Sequence, residues 1–141
     1  MAQVAAAHHA KLAGLGSDFV VDAAGTHAGR ISDAPDPRGT AALKKRGYLV
    51  GKTRSRRISE KDFARFDLIL AMDQSNLNTL REVCPLEHSH KLRLFLEYAP
   101  ETGQREVPDP YFGGPDGFER VLDLCEAGAK GLISDLRRAA T

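Results

Sequence analysis

Leu68-Ile69-Leu70-Ala71 is the segment that most narrows what this chain can fold into. Four consecutive apolar residues with no alternation fit a strand buried on both faces, the habit of parallel sheets covered by helices on either side. The segments around it alternate helix and strand. Gln3 to Leu12 is Ala-rich and reads as a helix closed by Gly14 or Gly16. Phe19 to Ala24 reads as a short buried strand. Asp36-Pro37-Arg38-Gly39 opens a helix that runs to Gly47, with Asp36 as N-cap and Pro37 at the first helical position. Ser59-Glu60-Lys61-Asp62 reads as a capped helical turn with Phe63 and Phe66 facing inward. Ser75 to Val83 is a helix stopped by Pro85, and Lys91 to Phe95 is a third strand. Phe118, Val121, Leu122, Cys125, Ala129, Leu132, Ile133 and Leu136 then recur at helical spacings of three and four, the clearest periodic stretch in the chain. The pattern predicts an α/β domain with a parallel sheet, helices on both faces and right-handed crossovers, in a single unit over residues 1–141.

Composition excludes several functions. Apolar residues are 42% of the chain, and no apolar run approaches the roughly 20 residues of a membrane span. The first residues lack the charged-then-apolar layout of a signal peptide, so a soluble, cytoplasmic protein is expected, with no membrane partner. A net charge of +1 gives no global field to draw it to nucleic acid. The basic runs Lys44-Lys45-Arg46 and Lys52 to Arg57 carry no interleaved aromatic residues for base stacking. They read as a solvated rim that could steer anionic substrates. Cys84 and Cys125 have no metal-ligand spacing, and His88 and His90 alone are weak ligands, so no metal and no cofactor is expected. Cys125 falls on the apolar stripe of the last helix and is expected to be a core thiol.

The most informative motif for chemistry is Val107-Pro108-Asp109-Pro110-Tyr111-Phe112-Gly113-Gly114. Pro108 and Pro110 leave Asp109 few backbone options, and two aromatic rings follow it at once. A rigid acid beside aromatic rings suits protonation of an aromatic leaving group; the plainer alternative is an Asp that caps a turn. In parallel α/β sheets ligands bind at the carboxyl ends of the strands. The loop after Ala24, the Met72-Asp73 pair and the loop leading to Asp109 all fall there.

These segments together resemble the low-molecular-weight protein tyrosine phosphatases. The matching pieces are Val21-Asp22-Ala23-Ala24-Gly25-Thr26, Pro35-Asp36-Pro37-Arg38, Ser55-Arg56-Arg57-Ile58 with Asp62-Phe63, Phe66 to Asp73 with Asn76-Leu77, and Asp109 to Gly113 with Phe118-Glu119. The resemblance implies a three-layer Rossmann-like fold and phosphomonoester hydrolysis through a phosphocysteine. It implies Asp109 as the general acid and Tyr111 and Phe112 as a wall of the phosphotyrosine slot. Asp73 becomes a supporting carboxylate and Arg56 a structural residue. Substrates would be phosphotyrosine proteins or small aryl phosphates, and the full-length form a monomer.

The family's nucleophile sits in a Cys-x5-Arg loop, and that loop is not among these residues. The sixth residue after Cys84 is His90, and the sixth after Cys125 is Gly131. Met1-Ala2-Gln3 looks like the continuation just past the loop. The expectation is a chain that begins after the family's central strand and nucleophile loop, with a start placed at an internal Met preferred over true truncation. Such a chain, made alone, is expected to be unstable or to aggregate; a sharp cooperative melt of the monomer would contradict this. The alternative functions are a dead pseudophosphatase or binding module, and, less favoured, a thiol-dependent arsenate reductase.

Overall fold

The computed structural model describes residues 1–15, 19–26, 37–50, 56–108 and 117–140. Among these residues five α-helices and two strands follow one another: α1 (Ala2–Leu12), α2 (Pro37–Lys45), α3 (Glu60–Arg65), β1 (Ile69–Ala71), α4 (Gln74–Val83), β2 (Leu92–Leu94) and α5 (Gly117–Ala140). β1 and β2 pair in parallel, with Ile69 opposite Leu92 and Ala71 opposite Leu94. The crossover between them is α4, as a parallel pair requires.

The unbroken apolar run of β1 is explained by its two faces. Ile69 and Ala71 belong to one core with Phe63, Leu77, Leu80 and Leu94, against α3 and α4. Leu70 points the other way, onto a core built from α1, α2 and α5. Helices thus cover the strand on both sides, and the α/β architecture with a small parallel sheet stands.

The larger core is a seam between α1 and α5. Ala5, Ala6 and Ala10 of α1 are buried, as are Leu122, Cys125 and Ala129 of α5. Small residues on α1 let the two helix axes approach closely. Two glycines of α5 do the same for the short 3-10 segment Phe95–Tyr98: a Cβ on Gly128 would meet the Phe95 ring, and one on Gly131 would run into the Tyr98 carbonyl oxygen. Phe95 and Leu96 are almost fully buried as a result.

One expected element differs. Phe19 to Ala24 lies outside any strand. Among the described residues nothing runs alongside it as a ladder. What fixes the end of this segment is a single parallel bridge, with Gly25 N–H donating to the Arg56 carbonyl at 2.8 Å and Ile58 N–H donating to the Gly25 carbonyl at 2.9 Å. Val20 is left 71% exposed, which a strand buried inside a sheet would not be.

The cationic rim also differs from expectation. Lys44 and Lys45 are exposed, but Arg46 is clamped against α5 by Glu119 and Asp123 at 2.8 Å and Glu126 at 3.2 Å. Those carboxylates hold its guanidinium pKa above the ordinary value against the effect of burial. The C-terminal end of α2 is thereby tied to the last helix.

Candidate functional site

The carboxyl end of β1 is where the described segments converge. β1 ends at Ala71, and Met72 and Asp73 carry the chain into α4. Asp73 has extended backbone and is the N-cap of α4: its side chain accepts a 2.7 Å hydrogen bond from the Asn76 N–H. This satisfies one of the donors that the first turn of a helix leaves unpaired. A second carboxylate serves the same turn from far along the chain, since the Gln74 N–H donates to Glu106 Oε2 at 2.7 Å. Two carboxylates at one helix N-terminus also complement its dipole.

The Val107 N–H donates to the Met72 carbonyl at 2.8 Å, and the Val107 side chain is buried in the larger core. Residues 106 and 107 are therefore pinned beside Met72 and Gln74, with Val107 two residues before Asp109 in sequence. From the opposite side comes Thr26, whose hydroxyl oxygen accepts a 3.0 Å hydrogen bond from Asn76 Nδ2. Asn76 links the two: its backbone N–H goes to Asp73 and its side-chain amide to Thr26.

The loop that carries Thr26 is braced from behind by Arg56. Its guanidinium holds Asp62 with two bonds, Nη1 to Oδ2 at 2.9 Å and Nη2 to Oδ1 at 3.1 Å, and reaches Asp22 at 3.1 Å. Asp62 is buried and also accepts from the Ser59 N–H at 2.8 Å and the Ser59 hydroxyl at 3.3 Å. The Arg56 hydrogen bonds hold the Asp62 carboxyl below its usual pKa, outweighing burial, which pushes the other way. Arg56 is thus a structural residue rather than part of a solvated rim, and the expected capped turn at Ser59 is present.

Of the residues singled out by sequence, Asp73 is placed here as a helix cap. Asp109, Tyr111 and Phe112 lie outside the described residues. Sequence reading did not single out Thr26, Asn76 and Glu106 for the contacts they make. Asn-Leu after Met-Asp was a visible motif, but nothing local signals a partner in the loop after Ala24.

Neither cysteine is arranged as a nucleophile. Cys125 is 1% exposed, and burial pushes its thiol up to about 11. Cys84 is half-buried at the end of α4, and burial raises its pKa as well. An attacking thiol needs a lowered pKa. Among the described residues no group of three His, Cys, Asp or Glu side chains could hold a metal ion. None of the described helices is long and apolar enough to cross a membrane.

Comparison with known proteins agrees over the whole chain. The profile of the family described as "Low molecular weight phosphotyrosine protein phosphatase" matches residues 1–141. A protein of Synechocystis is 46% identical over 125 residues, covering 88% of this chain and 79% of its own length. The low molecular weight protein-tyrosine-phosphatase of Streptomyces coelicolor is 39% identical over 128 residues, 89% of this chain and 77% of its own. Among solved structures, a protein tyrosine phosphatase from Entamoeba histolytica with Hepes in its active site superposes with a TM-score of 0.93 at 32% identity, covering 99% of this chain and 89% of that one. None of these favours the arsenate-reductase or binding-module readings.

Proposed function

This chain belongs to the low molecular weight phosphotyrosine protein phosphatase family, and we propose that Asp109 is the acid of its phosphatase reaction, with Tyr111 and Phe112 lining the aryl slot. Substrates are phosphotyrosine proteins or small aryl phosphates, met in the cytoplasm by a monomer. The observation that carries this reading is the Val107–Met72 hydrogen bond, which anchors the segment leading to Asp109 at the strand end where Asn76 joins Asp73 to Thr26. In parallel α/β folds that end is the ligand-binding end.

In the reaction, a thiolate attacks phosphorus and the phenolic oxygen leaves as its bond to phosphorus breaks. Asp109 gives that oxygen a proton, so the leaving group departs as a neutral phenol. Water then displaces the thiolate from the phosphocysteine and releases inorganic phosphate. The thiolate is neither Cys84 nor Cys125: both are raised in pKa by burial, and neither is followed six residues later by Arg. Asp73 contributes as a supporting carboxylate. By capping α4 and ordering Asn76, it steadies the Thr26 loop that borders the site.

The test uses the protein with a strand and Cys-x5-Arg loop joined ahead of Met1. Asp109→Ala is expected to lower kcat for an aryl phosphate by about 10²-fold or more, while the inhibition constant of inorganic phosphate stays close to wild type. A substrate with a highly acidic phenol, which leaves without a proton, should lose much less. Unchanged turnover would show that another group is the acid. Phosphate release by residues 1–141 alone would overturn the exclusion of Cys84 and Cys125.

A further inference from the structure

The C-terminal halves of α1 and α5 flank an open groove that the phosphatase reading does not use. Its volume is about 560 Å³. Leu12 and Ala13 form one side, Lys130, Ile133 and Arg137 the other, and His9 closes the inner end. Its place in the fold sets it apart from the site. The N-terminal ends of α1 and α5 meet near Gly39 and Phe118, next in sequence to the Asp109 segment. The groove lies at the far end of the same helix pair, about 15 Å along α1 at 1.5 Å per residue.

Its lining is amphipathic. Leu12 is 71% exposed and lies beside the cations of α5. Lys130 and Arg137 are exposed and form no ion pair among the described residues, whereas Arg138 at the rim is paired with Asp135 at 3.6 Å. The nearest other carboxylate on this stretch of α5, Glu126, is engaged by Arg46. The groove therefore offers two cations with no ion-pair partner among the described residues, beside an exposed leucine.

We propose that this groove docks an acidic segment of a partner protein, with carboxylates on Lys130 and Arg137 and an aliphatic side chain against Leu12. Charge complementarity selects the acid, and the exposed Leu12 supplies the apolar anchor that gives such contacts most of their persistence. A peptide fits the shape. An anionic membrane is the other occupant that two cations beside a leucine could meet, and vesicle competition distinguishes it. A nucleic acid would find a single ring in the lining, His9, half-buried against His8 and Tyr48, where stacking successive bases needs several exposed ones. The proposal stands apart from the phosphatase reading, because none of its residues takes part in that chemistry.

The test is fluorescence anisotropy with a labelled Asp-Glu-Leu-Glu-Asp peptide at low ionic strength, using the same protein as the activity test. Saturable binding is expected, weakened about tenfold or more by the K130E/R137E pair of reversals and severalfold by Leu12→Ser. Arg81→Glu, an exposed cation on α4 outside the groove, should leave it unchanged. The neutral peptide Asn-Gln-Leu-Gln-Asn should not bind. Circular dichroism melts matching wild type would show that the variants lose binding and not structure. The proposal fails if the acidic peptide does not saturate at millimolar concentration, or if the charge reversals leave its affinity intact. It also fails if phosphatidylserine vesicles compete for the protein through the same residues, because the occupant would then be a lipid surface.

Discussion

The α1–α5 seam and the carboxyl end of β1 are held together by different forces. In the seam, Ala5, Ala6 and Ala10 pack on a continuous apolar stripe of α5, and Leu122 and Ala129 are completely buried. Its stability is spread over many contacts of dispersion and hydrophobic burial, each small and none directional. At the strand end, a handful of hydrogen bonds joins segments far apart in sequence: Asn76 to Thr26, Gln74 to Glu106, Val107 to Met72 and Arg56 to Asp22, with Arg56 also held by its near neighbour Asp62. Each is directional and replaceable only by a group of the same geometry. The seam should therefore tolerate change of shape poorly and change of pH well, and the strand end the reverse.

Substitutions can break that contrast. The largest effect is expected at Leu122. Leu122→Ala opens a cavity in the middle of the seam and should cost about 3 kcal/mol, read as a shift in urea midpoint with unchanged slope. Gly131→Ala follows at about 2 kcal/mol or more, since the added methyl must displace the Tyr98 backbone. A loss under about 0.5 kcal/mol at either position would mean that the seam is loosely packed.

Asp62→Ala comes next at about 1–2 kcal/mol, less than a fully buried pair because the Arg56 side chain is about a third exposed. It also tests the pH half of the contrast. Arg56 depresses the folded-state pKa of Asp62 below its ordinary value of 3.8. The unfolded chain thus binds this proton more readily, and the stability from the pair is complete above that value and lost as pH falls through the folded one. Wild type should lose this increment between neutral and strongly acidic pH, and Asp62→Ala should not. Parallel acid-unfolding curves for the two proteins would rule the pair out as an acid-sensitive brace.

The smallest effect is expected at Asp73. Removing the α4 cap by Asp73→Ala should cost about 1 kcal/mol, with faster amide exchange at Asn76 as its local signature. Asp73→Asn, which keeps an accepting oxygen, should restore most of the loss. If it does not, the negative charge matters more than the cap.

The two regions were unequally legible. Periodicity in α5 and the unbroken apolar run at β1 are local patterns, and the helix and strand they imply are present with nearly the expected bounds. Cys125 on the apolar stripe proved to be the core thiol that its register implied. Phe19 to Ala24 carries a local pattern as good as that of β1, yet it is in no strand, because a strand requires a neighbour as well as a propensity. The strand-end bonds were not legible. Nothing near Thr26 marks Asn76 as its partner, and nothing near Glu106 marks the first turn of α4. Arg56 sits in a run of basic residues that reads as solvated; the family resemblance marks it as structural, and its partners Asp22 and Asp62 emerge only in the fold.

The sequence by itself therefore determined the fold class, the two-faced burial of β1, the helical register of α5 and membership of a phosphatase family, because each rests on the order of residue types along the chain. Tertiary structure alone decided that Asp73 works as a helix cap, that Asn76 ties it to Thr26, that Arg56 is a clamp between two acids, and that Lys130 and Arg137 flank an exposed Leu12 in a groove. Those facts depend on which segments folding brings within about 3 Å of each other for a hydrogen bond, or onto one surface, and distance in space is what a linear pattern does not carry.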